Sequence, residues 1–107
     1  MPPIAAYVTY AVQPGKRDEF LAALDRMRPV IDADPGTLVH VIHTSSKDPN
    51  TVWIYELYED HESAVRHAEQ VQPYQDALGA LAVGEMQIEH GPPVRVKGAA
   101  LPARPLD

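Results

Sequence analysis

Two spacings of apolar residues succeed one another along this chain, and the changes from one to the other mark out its elements. From Ile4 to Val12 only Thr9 is polar, and most positions are β-branched or Tyr. That pattern predicts a strand covered on both faces, stopped by the turn residues Gln13-Pro14-Gly15. Phe20, Leu24, Met27 and Ile31 then recur at steps of four, three and four, the stripe of an amphipathic helix, and Leu21 widens it. Pro29 removes one helical hydrogen bond, which predicts a kink in the last turn before Asp34-Pro35-Gly36 ends the element.

Thr37 to Thr44 is again rich in β-branched residues, and the turn formers of Ser45 to Asn50 separate it from the strand pattern of Thr51 to Tyr58. A hairpin with a six-residue loop follows from this. Asp60 is placed to accept from the free amides of a helix's first turn, and Glu62 adds favourable charge there. The helix carries Ala64, Val65, Ala68 and Val71 as its apolar positions. Pro73 should bend it, with Tyr74, Ala77, Leu78 and Leu81 continuing the stripe beyond. Glu85 to His90 alternates, Met86, Ile88 and His90 opposing Glu85, Gln87 and Glu89, as in a strand with one wet face. After Gly91 the prolines at 92, 93, 102 and 105 predict an extended or disordered arm over 92–107.

Strand, helix, strand, strand, helix, strand is the βαββαβ order of an α+β, ferredoxin-like sandwich with an antiparallel sheet, here a single domain over 1–91. Two helices can cover only one face of that sheet. The other face keeps many apolar side chains, so a second copy of the chain is expected to cover it, giving a homodimer with a closed α/β barrel at its centre. The space between sheet and helices then becomes a ligand cavity.

At 107 residues, 45% hydrophobic and 22% charged, the chain has room for one core and no second domain. Fifteen acidic against nine basic residues give a net charge of −6, which argues against nucleic acid or an anionic membrane as partner. No segment approaches the roughly 18 apolar residues of a membrane span. With no basic and apolar leader at the N-terminus, a cytoplasmic location is expected. The absence of cysteine excludes disulfides, thiolate catalysis and cysteine-bound metals.

Few residues remain to carry chemistry. His67, two turns into the second helix, has the side chain best suited to take a proton near neutrality. Glu56 interrupts the apolar strand Trp53-Ile54-Tyr55-Glu56-Leu57-Tyr58 and needs a partner: it is a candidate catalytic acid or base with a raised pKa, or it pairs with an Arg such as Arg66 or with a second subunit. Tyr58 shares its face and can hold an oxyanion. Tyr10, Trp53 and Tyr74 are candidate walls for a flat aromatic substrate, although the period of two puts Tyr7 and Tyr55 on the face away from Tyr10 and Tyr58. His40 and His43 point to opposite faces, and His61 and His67 lie about 240° apart around a helix, so no metal site is expected. His40, His43, His61 and His90 are expected at solvent or at a dimer contact. Phosphate loops, a nucleophile elbow and a dinucleotide fingerprint are absent, and no cofactor is expected.

Four stretches together resemble the antibiotic biosynthesis monooxygenase family over about positions 4 to 90. They are Val12-Gln13-Pro14-Gly15-Lys16-Arg17-Asp18-Glu19-Phe20, Asp34-Pro35-Gly36-Thr37-Leu38, Asp48-Pro49-Asn50 leading into Tyr55-Glu56-Leu57-Tyr58-Glu59-Asp60, and Glu62-Ser63-Ala64-Val65-Arg66-His67. The resemblance implies a dimeric α/β barrel and oxidation of a quinol, anthrone or polyphenol by O2 without a cofactor. His67 falls at the family's pocket-facing position and would be the base, with Tyr58 and Tyr10 steadying the anion. Tyr58 stands where the family often has Trp, and Val71-Gln72-Pro73 where it often has a second His. Haem-degrading relatives use an Asn in the first strand, and Ile4 to Val12 has none. The fold also serves isomerases or tautomerases of small carbonyl compounds and non-catalytic ligand-binding dimers, which stand as alternatives.

Overall fold

The computed structural model describes residues 2–95 and 97. Strand β1 (Ile4–Ala11) leads to helices α1 (Arg17–Asp25) and α2 (Arg28–Asp32), then to strands β2 (Thr37–Thr44) and β3 (Thr51–Tyr58). Helix α3 (His61–Val71), a 3-10 turn (Gln72–Tyr74), helix α4 (Gln75–Leu81) and strand β4 (Gln87–Gly91) follow. The four strands form one sheet in the order β2-β3-β1-β4, every pair antiparallel. This is the ferredoxin-like α+β arrangement. Among the described residues no helix is long and apolar enough to cross a membrane. The arm expected over 92–107 lies, apart from 92–95 and 97, outside the described residues.

Local chemistry explains the breaks. Pro29 sits in the first turn of α2, where its missing N–H loses nothing, so the expected kink is a division into two helices. Pro73 takes the matching place in the 3-10 turn between α3 and α4. Asp60 caps α3, its Oδ1 accepting from the Ser63 amide at 2.8 Å. Gly15 turns the chain out of β1 with a φ of 79°, open to glycine at no steric cost.

Register decides which side chains meet the helices. Tyr10 pairs with Val52, Val8 with Ile54, and Ala6 with Glu56, while His40 and Ile42 face Glu56 and Ile54 from the other side. These residues make the inner face. Val8, Tyr10, Val12, Val52 and Ile54 pack there against Phe20, Ala23, Leu24, Met27 and Ile31 of the first helical region and against Val71 and Leu78. The stripe expected from Phe20 to Ile31 is buried throughout.

Three expectations need correction. Within one chain β1 is covered on one face only, because Tyr7 on the outer face is 51% exposed. β4 has no dry side, since Ile88 on its inner face is 47% exposed at the sheet edge, where helix cover runs out. α3 does not bury Ala64, Val65 and Ala68 together; its buried line is Ser63, His67 and Val71, with Val65 turned outward. The helix thus presents polar groups to the sheet. Arg66 and Asp34 anchor its N-terminal half, and Asp34 sits against β2's start.

Candidate functional site

The register that builds the inner face also places His40 directly across from Glu56 on neighbouring strands. α3 lies over them and lowers His67 onto the pair. His40 Nε2 stands 3.3 Å from Glu56 Oε2, and His67 Nε2 stands 3.6 Å from the same oxygen. The other carboxylate oxygen, Oε1, accepts a 2.6 Å hydrogen bond from the Tyr58 hydroxyl, two residues along the same strand. The His67 ring lies 5.2 Å from that of Tyr58 and 5.9 Å from that of His40, centroid to centroid. Glu56, Tyr58 and His67 are all buried. Four polar side chains therefore share one dry space.

Electrostatics follow from that closeness. Burial alone would raise the Glu56 carboxyl, but the polar groups of His40, His67 and Tyr58 turned onto it outweigh burial and hold it at about 2. Glu56 is therefore a carboxylate at neutral pH, and the raised pKa expected of a buried acid or base is not found, because its three partners outweigh burial. Burial, and then the charge and hydrogen bond of Glu56, push the Tyr58 hydroxyl far above the ordinary range, so it stays a donor. Burial and the same charge push Tyr10 up to about 12. A carboxylate only accepts, so the His40 nitrogen facing it is the donor of that contact.

The helix bearing His67 is clamped at its start. Burial works to raise Asp34, but the Gly36 amide, the Thr37 hydroxyl and Arg66 hold its carboxyl below the usual value. The Gly36 amide and Thr37 Oγ1 each donate to Asp34 at 3.0 Å, and Arg66 Nη2 reaches it at 3.4 Å and Ser63 Oγ at 3.2 Å. Gly36 is required by contact. A Cβ there would run into the side chains of Ser63 and Arg66. The Asp34-Pro35-Gly36 motif thus ends a helix and also seats α3 against the sheet.

A pocket of about 370 Å³ opens beside the cluster, lined by Leu24, Ile31, Arg28, Asp32, His40 and Ile42 among others. Its lining mixes apolar side chains with the charged Asp25, Arg28 and Asp32. His40 belongs both to this wall and to the Glu56 cluster, so it links the two.

The sequence-derived candidates separate on this geometry. His67, Glu56 and Tyr58 come together. Tyr10 is on the same face but packs edge-on against Phe20 in the core, with centroids 4.9 Å apart. Tyr74 is half-buried against that core. Trp53 lies on the outer face, stacked on His43 at 3.8 Å, and the sheet stands between it and His67. The partner suggested for Glu56, Arg66, is engaged by Asp34 instead. His40 is the residue that the sequence reading missed; expected at solvent or a dimer contact, its side chain is only 10% exposed. Loop length alone would not have found it: closing six residues at Thr44 and Thr51 sets His40 opposite Tyr55, and the observed pairing of Thr44 with Val52 is what brings it opposite Glu56.

A ferredoxin-like α+β domain with a carboxylate, two imidazoles and a phenol sealed between sheet and helix is the class defined so far. The sequence profile of the family described as antibiotic biosynthesis monooxygenase matches residues 3–80, and the chain belongs to that family. Solved structures agree in fold. One from Nitrosomonas europaea, described provisionally as an antibiotic biosynthesis monooxygenase, superposes with a TM-score of 0.82 at 19% identity, over 90% of this chain and 94% of its own. A protein of the same provisional description from Caulobacter crescentus CB15 gives 0.80 at 27% identity, over 88% and 92%. A mutant of SnoaB from Streptomyces nogalater, described as a cofactor-independent oxygenase, gives 0.78 at 18% identity, over 90% and 97%. No curated protein matches the chain.

Proposed function

We propose that this protein is a cofactor-independent monooxygenase that oxidises an electron-rich aromatic compound, a quinol, anthrone or other polyphenol, with O2. The observation that carries the reading is the Glu56 carboxylate holding His40 at a pocket wall and His67 behind it. Family membership and the fold shared with a cofactor-independent oxygenase support the reaction class.

In this reading an imidazole of the pair takes a proton from the phenol or activated methylene, and Glu56 stabilises the imidazolium that forms. Tyr58 keeps the carboxylate aimed. The substrate anion passes one electron to O2, and the resulting substrate radical and superoxide recombine to a peroxide in the pocket. Loss of water then leaves the carbonyl. For a methylene the balance is CH2 + O2 giving C=O + H2O.

A second copy of the chain completes the assembly in this proposal. Tyr7, Val41, Trp53 and Tyr55 share the outer face, with Tyr7 and Val41 51% and 41% exposed. An apolar face of this kind is a liability for a lone chain.

Oxygen uptake by metal-stripped protein with a panel of hydroquinones and anthrones tests the reaction. Turnover that needs O2 and drops in His40→Ala and His67→Ala supports it. Rates equal to buffer overturn it, and product formation under strict anaerobiosis would point to an isomerase or tautomerase instead.

A further inference from the structure

We propose that His40, Glu56 and His67 form a binding site for a first-row divalent transition-metal cation. Each offers one donor atom, and the three lie within 4.8 Å of one another. Around an ion with bonds of about 2.1 Å, neighbouring donors in tetrahedral or octahedral arrangement are roughly 3.0–3.4 Å apart. Here the shared oxygen is 3.3 Å from one nitrogen and 3.6 Å from the other, so shifts of a few tenths of an ångström close those two edges.

The donors sit on three elements, β2, β3 and α3, and two of them are locked in register across adjacent strands. The third edge, between the two imidazoles, lies within 4.8 Å and closes by rotation of the rings toward the ion. Tyr58 already holds the second carboxylate oxygen at 2.6 Å, the outer support that metal-binding carboxylates commonly have. On binding, each imidazole would move its proton from Nε2 to Nδ1 and present the lone pair to the ion.

Two imidazoles and one carboxylate suit Fe2+, Co2+, Ni2+ or Zn2+, and they suit Mg2+ or Ca2+ poorly. Three protein ligands also leave coordination positions open. The pocket beside His40 gives them a route to solvent and room for a small ligand. His43, stacked on Trp53 across the sheet, takes no part.

An ion held by all three groups would occupy the imidazoles that the proposed reaction uses as base, so this site stands apart from that reading, and its test reads binding rather than turnover. Untagged protein is titrated with Co2+ while visible absorption is recorded, and with Zn2+ while the melting temperature is followed. One Co2+ per chain should bind with ligand-field bands of nitrogen and oxygen ligation. Zn2+ at about a hundred times its dissociation constant should raise the melting temperature by roughly 10 °C. His40→Ala, His67→Ala and Glu56→Gln should abolish the bands, Tyr58→Phe should weaken binding about 10-fold, and His43→Ala should leave it unchanged. Absence of saturable Co2+ binding by the parent protein overturns the proposal, as does binding that survives all three ligand variants or disappears with His43. Substitutions that unfold the chain are recognised by loss of circular dichroism, and the parent titration still decides.

Discussion

The two faces of the sheet come from the same four strands, one residue out of step, and each carries one departure from the usual arrangement. The inner face, under α3, buries a carboxylate, two imidazoles and a phenol. The outer face leaves Tyr7 and Val41 largely in water beside Trp53 and Tyr55. Tyr7, Tyr55 and Val41 stand in one cross-strand row, and His43, Trp53 and Thr9 in the next. Burying an ion costs several kcal/mol unless it is fully partnered. Leaving a large apolar side chain exposed forgoes about 1.5–3 kcal/mol of burial. The inner ion is partnered by His40, His67 and Tyr58, whereas the outer side chains are left uncovered by their own chain; in the proposed function the first serves proton handling and the second association.

The largest expected effect breaks the inner face. Glu56→Gln keeps the shape but turns an amide N–H toward groups that need an acceptor, and it should lower oxygen uptake by about 10²–10⁴-fold and stability by about 3 kcal/mol. Its pH signature identifies the cause. The Glu56 carboxyl, ordinarily at 4.5, is held at about 2 in the fold, so its contribution is complete above 4.5 and fades as pH falls toward 2. Acid titration of melting temperature should therefore flatten across that window in Glu56→Gln. An unchanged acid limb would show that the carboxylate stabilises nothing.

Next in size is the outer face. Tyr7→Lys with Val41→Lys puts two charges into one row without touching the inner cluster. Sedimentation should move from a two-chain to a one-chain species, because central apolar contacts each contribute about 2 kcal/mol or more to a stable interface. Parent protein that sediments as one chain would remove the association half of the comparison.

These faces were unequally legible in the sequence. The strands and the stripe Phe20, Leu24, Met27 and Ile31 followed from periodicity, which is a local property. Alternation also separated Tyr7 and Tyr55 from Tyr10 and Tyr58 correctly. The inner cluster needed long-range facts. His40 meets Glu56 through hairpin register, and His67 meets both because α3 buries a polar line where an apolar one was expected. Histidine spacing along the chain searches for ligands within one element, so a set drawn from three elements escaped it. Trp53 was placed with the substrate by its aromatic character, whereas the period of two sends it to the face away from His67.

The smallest expected effect sharpens the comparison by loosening one face alone. Asp60 Oδ1 accepts from the amide and the hydroxyl of Ser63, both at 2.8 Å, and Ser63 in turn takes a bond from Arg66. Asp60→Ala frees the first turn of α3 and should cost about 1 kcal/mol, lowering the melting temperature by about 4 °C. His67 rides two turns further along that helix, so its position over Glu56 should slacken, and turnover should fall by a few fold. The outer face has no contact with the cap. Sedimentation of Asp60→Ala should match the parent, and a loss of turnover together with a loss of association would mean that the two faces are coupled through the sheet.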